Sequence, residues 1–305
     1  MENKIQLSVI VCCYNRAKYI HDVITKLCDQ IADKGSYEIL LIDNNSTDAT
    51  PEICKNASDE FPENNICYIL ETNQGLTFAR NRGVKESKAA LVSFIDDDGL
   101  CNREYVSEII SAFARYPKAE VIGGKVIPIF PECEPPEWSS KYTDGILSKL
   151  DIGDLEKPFD QKYPVGCNMA YRKSILEKVG GFNENLVLRS DEKDLFLRLK
   201  KMETSFMYIP TIYVEHVISK ERVAKSGVIK VSRITGEGEY YRSKSSFLSL
   251  VSKFFEYIFK MGAALILAVG FLIRGQAKKA KYIIIARYYV LYGFLNAKRT
   301  LNSDT

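Results

Sequence analysis

The sequence has few of the residues from which sulfur- and imidazole-based metal centres are built. Its 305 residues include eight Cys and two His, with no Cys-x-x-Cys pair and no Cys/His cluster at zinc spacing. Cys12 and Cys13 lie within an apolar strand pattern, which favours buried, reduced thiols. Met1 to Lys4 leads almost directly into that strand, so we expect no signal peptide. These absences favour a protein that stays on the cytosolic side.

Acidic residues are nearly absent from the C-terminal part of the chain. Residues 242–299 hold 11 Lys/Arg and one acid, Glu256, which gives about +10, whereas residues 1–241 carry about −6. Two apolar runs fall in the same stretch, Met261 to Ile273 and Tyr282 to Tyr292. A stretch that is both basic and apolar predicts contact with an anionic membrane surface.

The first of these apolar runs has 13 residues, fewer than the ~20 that a membrane-crossing helix needs. We therefore predict two amphipathic helices that lie in the membrane interface. The basic side chains expected to face lipid phosphates are Lys278, Lys279, Lys281 and Arg287. A single marginal span and a soluble helical hairpin are the alternatives.

Residues 5 to about 125 alternate between strand and helix patterns with short connections. The predicted strands are Ile5–Cys13, Tyr37–Ile42, Ile66–Leu70, Leu91–Ile95, Val121–Phe130, Cys167–Arg172 and Ser205–Tyr208, and the predicted helices are Lys18–Ala32, Ala49–Ala57, Gly75–Glu86, Arg103–Tyr116, Arg172–Gly180 and Ser190–Met202. Repeated βα units of this kind form a Rossmann-like, mostly parallel sheet with helices on both faces. We predict an α/β domain over residues 1–240, with halves 1–125 and 126–240, and a helical membrane-association region over 241–305.

Three consecutive carboxylates, Asp96, Asp97 and Asp98, follow the apolar strand Leu91–Ile95. The triplet is therefore expected at the carboxyl edge of the sheet, where open α/β sheets bind ligands. Three like charges repel one another unless a hard cation shares them, and Mg²⁺ or Mn²⁺ prefers one or two carboxylates together with substrate phosphates. A solvated turn that caps the following helix is the alternative.

Several segments occur in an order that is more specific than any one of them. They are Leu7 to Arg16, Ile39 to Asp48, Asn73 to Gly83 and the Asp triplet, followed by Pro164 to Lys173, Val179 to Glu184, Ser190 to Leu199 and Val214 to His216. In this order and spacing the first four resemble the nucleotide-sugar half of family 2 glycosyltransferases, and the last four resemble the acceptor half. The resemblance implies the GT-A fold over residues 5 to about 225.

The resemblance implies that the triplet is the Asp-x-Asp motif of that family. Asp98, helped by Asp96, would then hold a divalent cation that stabilises the charge on a departing nucleoside diphosphate. His216 is the implied third ligand, and a hydrogen-bonded structural histidine is the alternative.

The usual Glu-Asp pair of the family is reversed in this chain, where Asp191 precedes Glu192. By alignment, Glu192 takes the position of the base that accepts the proton of the attacking sugar hydroxyl. The reversal leaves Asp191 open as the base. Capping of a helix N-terminus by both acids is a further alternative.

The resemblance also implies the residues that bind the two substrates. Those on the donor side are Tyr14, Asn15, Asp43, Arg80, Asp96 and Asp97; those on the acceptor side are Gly166, Asn168 and Trp138. Tyr14 would stack on the nucleobase, Asp43 would accept its ring N–H, and Arg80 would reach the base or the diphosphate. The respective alternatives are an aromatic residue at a strand end, an acid in an Asx turn and a surface arginine on a helix. Trp138, the only Trp, is either a sugar platform or a loop anchor.

We therefore expect an inverting, metal-dependent enzyme of the hexosyltransferase type. It would move a sugar from a nucleotide-diphosphate donor to a lipid-linked or polysaccharide acceptor in cell-surface glycan synthesis, at the cytoplasmic face of the membrane and with no nucleic-acid partner. A sugar nucleotidyltransferase is an alternative, although the turn Cys12 to Arg16 lacks the glycines of a phosphate loop. The reversed acids keep a catalytically silent membrane scaffold as another.

Overall fold

The computed structural model describes residues 5–160, 162–186 and 190–300. These residues form two compact units. The first contains the described residues of Met1–Pro128, Leu150–Glu184 and Asp191–Val217, and the second contains those of Ile129–Lys149, Asn185–Ser190 and Ile218–Thr305.

The first unit is built on a nine-stranded sheet. Its strands are β1 (Leu7–Cys13), β2 (Tyr37–Asp43), β3 (Ile66–Leu70), β4 (Leu91–Asp96), β5 (Gly99–Cys101), β6 (Val121–Ile129), β7 (Lys157–Pro158), β8 (Met169–Arg172) and β9 (Phe206–Val217). Their order is β3-β2-β1-β4-β8-β6-β9-β5, with β7 paired to β9. The pairs among β1 to β4 are parallel, as the sequence predicts for the first half. The pairs of β8 with β4 and β6, and of β9 with β5 and β7, are antiparallel.

Helices cover both faces of this sheet. They are α1 (Ile20–Cys28), α2 (Thr50–Glu60), α3 (Leu76–Glu86), α4 (Tyr105–Arg115), α5 (Lys173–Val179) and α6 (Asp191–Lys200), with a short 3-10 turn at Lys34–Ser36. Side chains of a strand alternate between faces, so Val9 joins the core that holds residues of α1 and α4, while Ile10 joins the core that holds residues of α3 and α5. The parallel strands are apolar throughout because both of their faces are covered.

Three strands differ from the sequence-based prediction. The sequence predicts no strand at β5 or at β7, and it ends the last strand at Tyr208, whereas β9 continues to Val217. Pro210 explains the last difference, because a proline lacks the N–H that a ladder needs and usually marks the end of a strand.

The second unit is helical. It contains α7 (Lys220–Val223), α8 (Lys225–Ser243), α9 (Phe247–Ile273) and α10 (Ala277–Thr300), and a 3-10 turn at Asp144–Ile146. Helices α8 and α10 cross at glycines: a Cβ atom on Gly236 would overlap the backbone of Val290, and one on Gly293 would overlap the backbone of Arg233. The backbones therefore approach more closely than any larger residue allows.

Helix α9 is long, apolar and largely exposed. Among the described residues it is the one helix whose length and composition suit a membrane crossing, and 22% of its most apolar 18-residue window is buried. The sequence predicts a shorter segment here because Lys253, Glu256 and Lys260 interrupt its apolar pattern. Ala264, Ala268 and Phe271 pack this helix against Ala280 and Ile283 of α10.

Candidate active site

The carboxylates of the Asp triplet meet the end of β1, the strand beside β4. The backbone N–H of Tyr14 donates to Asp97 Oδ2 at 3.2 Å, and Arg16 Nε lies 3.0 Å from Asp97 Oδ1. The same guanidinium lies 3.4 Å from Asp98 Oδ2. Arg16 thus offsets the repulsion between two adjacent acids. It is absent from the predicted site residues, and no local pattern in the sequence points to it.

His216 reaches the triplet through a strand pairing. Gly99 of β5 is paired with His216 of β9, and the backbone N–H of Val217 donates to the carbonyl of Asp98 at 2.9 Å. His216 Nε2 consequently lies 3.0 Å from Asp98 Oδ1 in a buried position. Its Nδ1 atom has no hydrogen-bond partner among the described residues, which is unusual for a buried imidazole that serves only the fold.

These residues fit a divalent cation. Asp96, Asp98 and His216 each offer one ligand atom, and the three atoms lie within 4.8 Å of one another. Ligand atoms at about 2.1 Å from a shared small cation are separated by about 3–4 Å, so a modest adjustment of this cluster would suffice. One imidazole nitrogen of His216 and the two acids form a donor set of the kind that such an ion needs.

A second charged cluster joins α3, β4 and α6. Arg80 is fully buried and ion-paired with Asp191. Its NH2 nitrogen lies 3.5 Å from Asp96, its NH1 nitrogen lies 3.6 Å from Glu192, and its guanidinium stacks over the ring of Phe182. Burial alone would lower the pKa of Arg80, but the carboxylates raise it, so the side chain stays charged.

The two acids of α6 have different surroundings. The side chain of Asp191 is 4% exposed, and that of Glu192 is 25% exposed. Burial, and next the charge of Glu192, raise the pKa of Asp191 to about 7, against the opposing effect of Arg80. Gly166 leaves the room for this arrangement, because a Cβ atom there would lie under 3.0 Å from both Glu192 Oε1 and Arg80 NH2.

The remaining donor-side residues surround the ends of β1 and β2. The ring of Tyr14 is 48% exposed, as a stacking surface requires. Asn15 has a positive φ of 52°, and its Oδ1 accepts from the backbone N–H of Thr47 at 2.8 Å. Asp43 is buried and accepts from the backbone N–H of Ser46 at 3.0 Å and from the Tyr68 hydroxyl at 2.9 Å.

Two predicted acceptor-side residues have structural contacts. The buried amide of Asn168 donates to the carbonyls of Lys125 at 2.8 Å and Ile212 at 3.1 Å, which ties β6 to β9. Trp138 lies in the other compact unit, where it is buried and its ring stacks on Tyr282 with centroids 5.3 Å apart. This burial and stacking favour the loop anchor of the two alternatives for Trp138.

Comparison with known proteins identifies similar chains. Glycosyltransferase AglE of Haloferax volcanii is 26% identical over 185 residues, which are 61% of this chain and 58% of AglE. The minor teichoic acid biosynthesis protein GgaB of Bacillus subtilis is 28% identical over 196 residues, 64% of this chain and 21% of GgaB. The matched part of the chain thus spans between about a fifth and three fifths of these relatives.

The fold is shared with solved glycosyltransferases. The mannosyltransferase PcManGT from Pyrobaculum calidifontis, solved in complex with GDP-Man and Mn²⁺, aligns with a TM-score of 0.64 at 16% identity over 94% of this chain and 87% of that one. The predicted GT-A fold is confirmed. A family model for Glycosyl transferase family 2 matches residues 8–180, more than half of the chain, and the protein therefore belongs to this family.

Proposed function

We propose that this protein is a metal-dependent, inverting glycosyltransferase that takes a sugar from a nucleotide-diphosphate donor. The observation that carries the proposal is the meeting, at one edge of the sheet, of two clusters with different chemistry. One is the cation-binding set of Asp96, Asp98 and His216, and the other is the acid pair Asp191 and Glu192 held by Arg80.

The first cluster suits the leaving group. Asp96, Asp98 and His216 would hold Mn²⁺ or Mg²⁺, which when bound supplies positive charge to the departing diphosphate. Arg16 holds Asp97 and Asp98 in place by its two ion pairs. The complex of PcManGT with GDP-Man and Mn²⁺ supports both the class of donor and the class of cation. We propose that Tyr14 stacks on the nucleobase beside Asn15 and Asp43.

The second cluster suits the attacking group. Glu192 is the more accessible of the two acids, so we assign to it the proton of the acceptor hydroxyl. In one displacement the acceptor oxygen bonds to the anomeric carbon, the bond from that carbon to the diphosphate oxygen breaks, and the proton moves to the Glu192 carboxylate. Attack opposite the leaving group inverts the anomeric centre. Asp191 anchors Arg80, and Gly166 keeps the space beside Glu192 open.

We further propose that the acceptor is a lipid-linked or polysaccharide glycan and that α9 associates with the cytoplasmic face of a membrane. Apolar side chains at helical spacing are exposed along this helix: Phe247, Leu248, Phe255, Ile258, Phe259, Leu265, Ile266, Val269, Leu272 and Ile273. We call these ten residues the α9 stripe. Exposed apolar area of this extent marks an interaction surface. GgaB, a minor teichoic acid biosynthesis protein, supports an acceptor of this kind.

The packing of α9 favours a helix that lies along the membrane over one that crosses it. To cross the membrane alone, α9 would have to lose its packing against Ala280 and Ile283 of α10. Insertion of α10 together with α9 would be costly, because α10 carries four basic residues, Lys278, Lys279, Lys281 and Arg287. Arg274 and Lys281 are exposed, as contact with lipid phosphates requires. Lys278 instead pairs with Glu137 at 2.7 Å, and Arg287 is half-buried.

A donor screen tests the proposed function. The full chain is incubated with Mn²⁺, single nucleotide-diphosphate sugars and a lipid-linked acceptor, and products are identified by mass spectrometry. We expect one donor to give a glycosylated acceptor and the free nucleoside diphosphate, with the anomeric configuration of the transferred sugar inverted in the NMR spectrum of the product. Transfer of a sugar phosphate with release of a nucleoside monophosphate, or no turnover of any donor beside an active family member, would reject the proposal.

A further inference from the structure

Arg80 contacts both clusters of the candidate site, and the partners of its nitrogens indicate its role. We propose that Arg80 is a positioning residue, which fixes Glu192 at a set distance from Asp96 and does not bind the donor. This inference rests on the proposed function, because it assumes that Glu192 is the base.

The burial of Arg80 argues against direct contact with a donor phosphate. Its side chain is 2% exposed, and its NH1 and NH2 nitrogens both face carboxylates. NH1 is ion-paired with Asp191 and Glu192 on α6, and NH2 is ion-paired with Asp96 at the end of β4. A diphosphate would have to displace one of these acids to reach the guanidinium.

The shape of the guanidinium explains why an arginine is needed. Its nitrogens are held in one rigid plane, so contacts made by NH1 and NH2 have a fixed separation. The ring of Phe182, whose centroid lies 5.4 Å from the guanidinium carbon, supports that plane from below. A lysine would keep the positive charge, but its single nitrogen could not hold both sides at once.

Gly166 gives independent support for a close, fixed contact. A Cβ atom at this position would lie under 3.0 Å from Arg80 NH2 and from Glu192 Oε1, although its φ is not in the left-handed region. The glycine therefore leaves space for the ends of these two side chains, and its own backbone does not call for a glycine. An alanine there should displace both of them while leaving every charge of the site present.

Kinetics separate positioning from donor binding. For Arg80→Lys we expect kcat to fall by about 10- to 100-fold, the range that a small misplacement of a reacting group produces, with the affinity for nucleoside diphosphate and Mn²⁺ unchanged in calorimetry. Gly166→Ala should lower kcat in the same way. Arg82→Lys is the matched control, because Arg82 lies on the same helix, is partly exposed and pairs with Glu86; we expect no change there.

A double-mutant cycle shows whether Arg80 acts through the base. In a Glu192→Gln background, Arg80→Lys should cost little further activity, because the group that it positions is already disabled. Methylguanidine should partly restore kcat to Arg80→Ala and leave Arg82→Ala unaffected. If Arg80→Lys fails to fold by circular dichroism, Gly166→Ala provides the same comparison.

Two results would overturn the inference. One is weaker binding of the nucleoside diphosphate with kcat retained, which would make Arg80 a donor ligand. The other is multiplicative losses in the double mutant, which would show that Arg80 and Glu192 act independently. A wild-type chain that turns over no donor would instead reject the proposed function, so the two failures are distinguishable.

Discussion

At the scale of residues, the reversed acid pair is the feature on which the assignment of roles depends. Asp191 is buried and ion-paired with Arg80, whereas a quarter of the Glu192 side chain is exposed. A base must reach its substrate, so exposure favours Glu192, and the ion pair with Arg80 gives Asp191 a different task. The two acids occur in the reverse of the order usual in the family. The assignment still holds, because catalysis needs only one accessible acid as the base.

Replacement of each acid by its amide tests this division. We expect Glu192→Gln to lower kcat by about 10² to 10⁴ with donor affinity retained, since only proton transfer is lost. Asp191→Asn should cost less, because a neutral amide still accepts from Arg80. A larger loss for Asp191→Asn in steady-state kinetics would move the base to position 191.

The pH dependence of activity provides a second test of the pair. The pKa of Asp191 is raised to about 7 by burial and by Glu192, so the two carboxylates share a proton below neutrality. The base works without that proton, and kcat/KM should therefore rise as the pH rises through about 7. In Asp191→Asn the group whose pKa is raised to about 7 is absent, so the rising limb should move to lower pH. A limb that stays in place would show that another group controls it.

The sequence predicted the acids of the site and Arg80, but not Arg16, the second cation that pairs with those acids. The sequence indicates the acids because carboxylates that directly follow an apolar strand, or that begin a helix, often belong to a site. These acids are Asp96, Asp98, Asp191 and Glu192. Arg16 carries no such signal, since an arginine in a turn is usually a solvated residue. Its pairing with Asp97 depends on a contact across 81 residues of sequence, which follows from the sheet order and not from any local pattern.

At the scale of elements, the pairing of β5 with β9 decides where the histidine lies. Gly99 is paired with His216, and Asp98 directly precedes Gly99 in the chain. The imidazole therefore lies beside Asp98. The sequence predicted neither β5 nor the second half of β9, because a three-residue strand has no periodicity and Pro210 signals a strand end. Its prediction of His216 as a ligand came from the family resemblance alone and remains a prediction.

The crossing of α8 and α10 makes a sharp test of packing. Gly293→Ala would push a methyl group into the backbone of Arg233, so we expect a loss of about 1–3 kcal/mol in the free energy of unfolding. Gly270→Ala is the control, because nothing lies within 4 Å of its Cβ position and alanine favours a helix. Denaturant unfolding of both variants measures the difference. Equal stability would mean that the two helices do not cross as closely as described.

At the scale of the whole molecule, the two compact units differ in how much of them could be predicted. The alternation of apolar strands and amphipathic helices gave the parallel half of the sheet, because local periodicity and burial agree there. Helix α8 gave no clear signal, since Lys225–Ser243 contains three glycines and several charges. Its stability comes from packing against α10, which local sequence does not reveal. The division at residue 240 into catalytic and membrane-associated regions remains a prediction.

The α9 stripe predicts binding to anionic vesicles. Ile266→Glu should weaken co-sedimentation with phosphatidylglycerol vesicles by about tenfold or more, because burial of an isoleucine contributes about 1.5–3 kcal/mol. Leu155→Glu, which changes an equally exposed leucine of the other unit, is the control. Binding should fall at high salt and be weaker on neutral phosphatidylcholine. The α9 stripe would instead be a self-association surface if the protein does not bind vesicles and forms dimers that Ile266→Glu dissociates.

The most direct test of the central claim is the release of nucleoside diphosphate from the preferred sugar donor in the presence of Mn²⁺, measured before and after chelation by EDTA. A cation that stabilises the leaving group is worth several kcal/mol, so chelation should lower the rate by about 10² or more, and Mn²⁺ should restore it. Asp98→Asn should have a comparably low rate that added Mn²⁺ does not restore, with an unchanged circular dichroism spectrum. Undiminished turnover in EDTA, or by Asp98→Asn, would contradict the account.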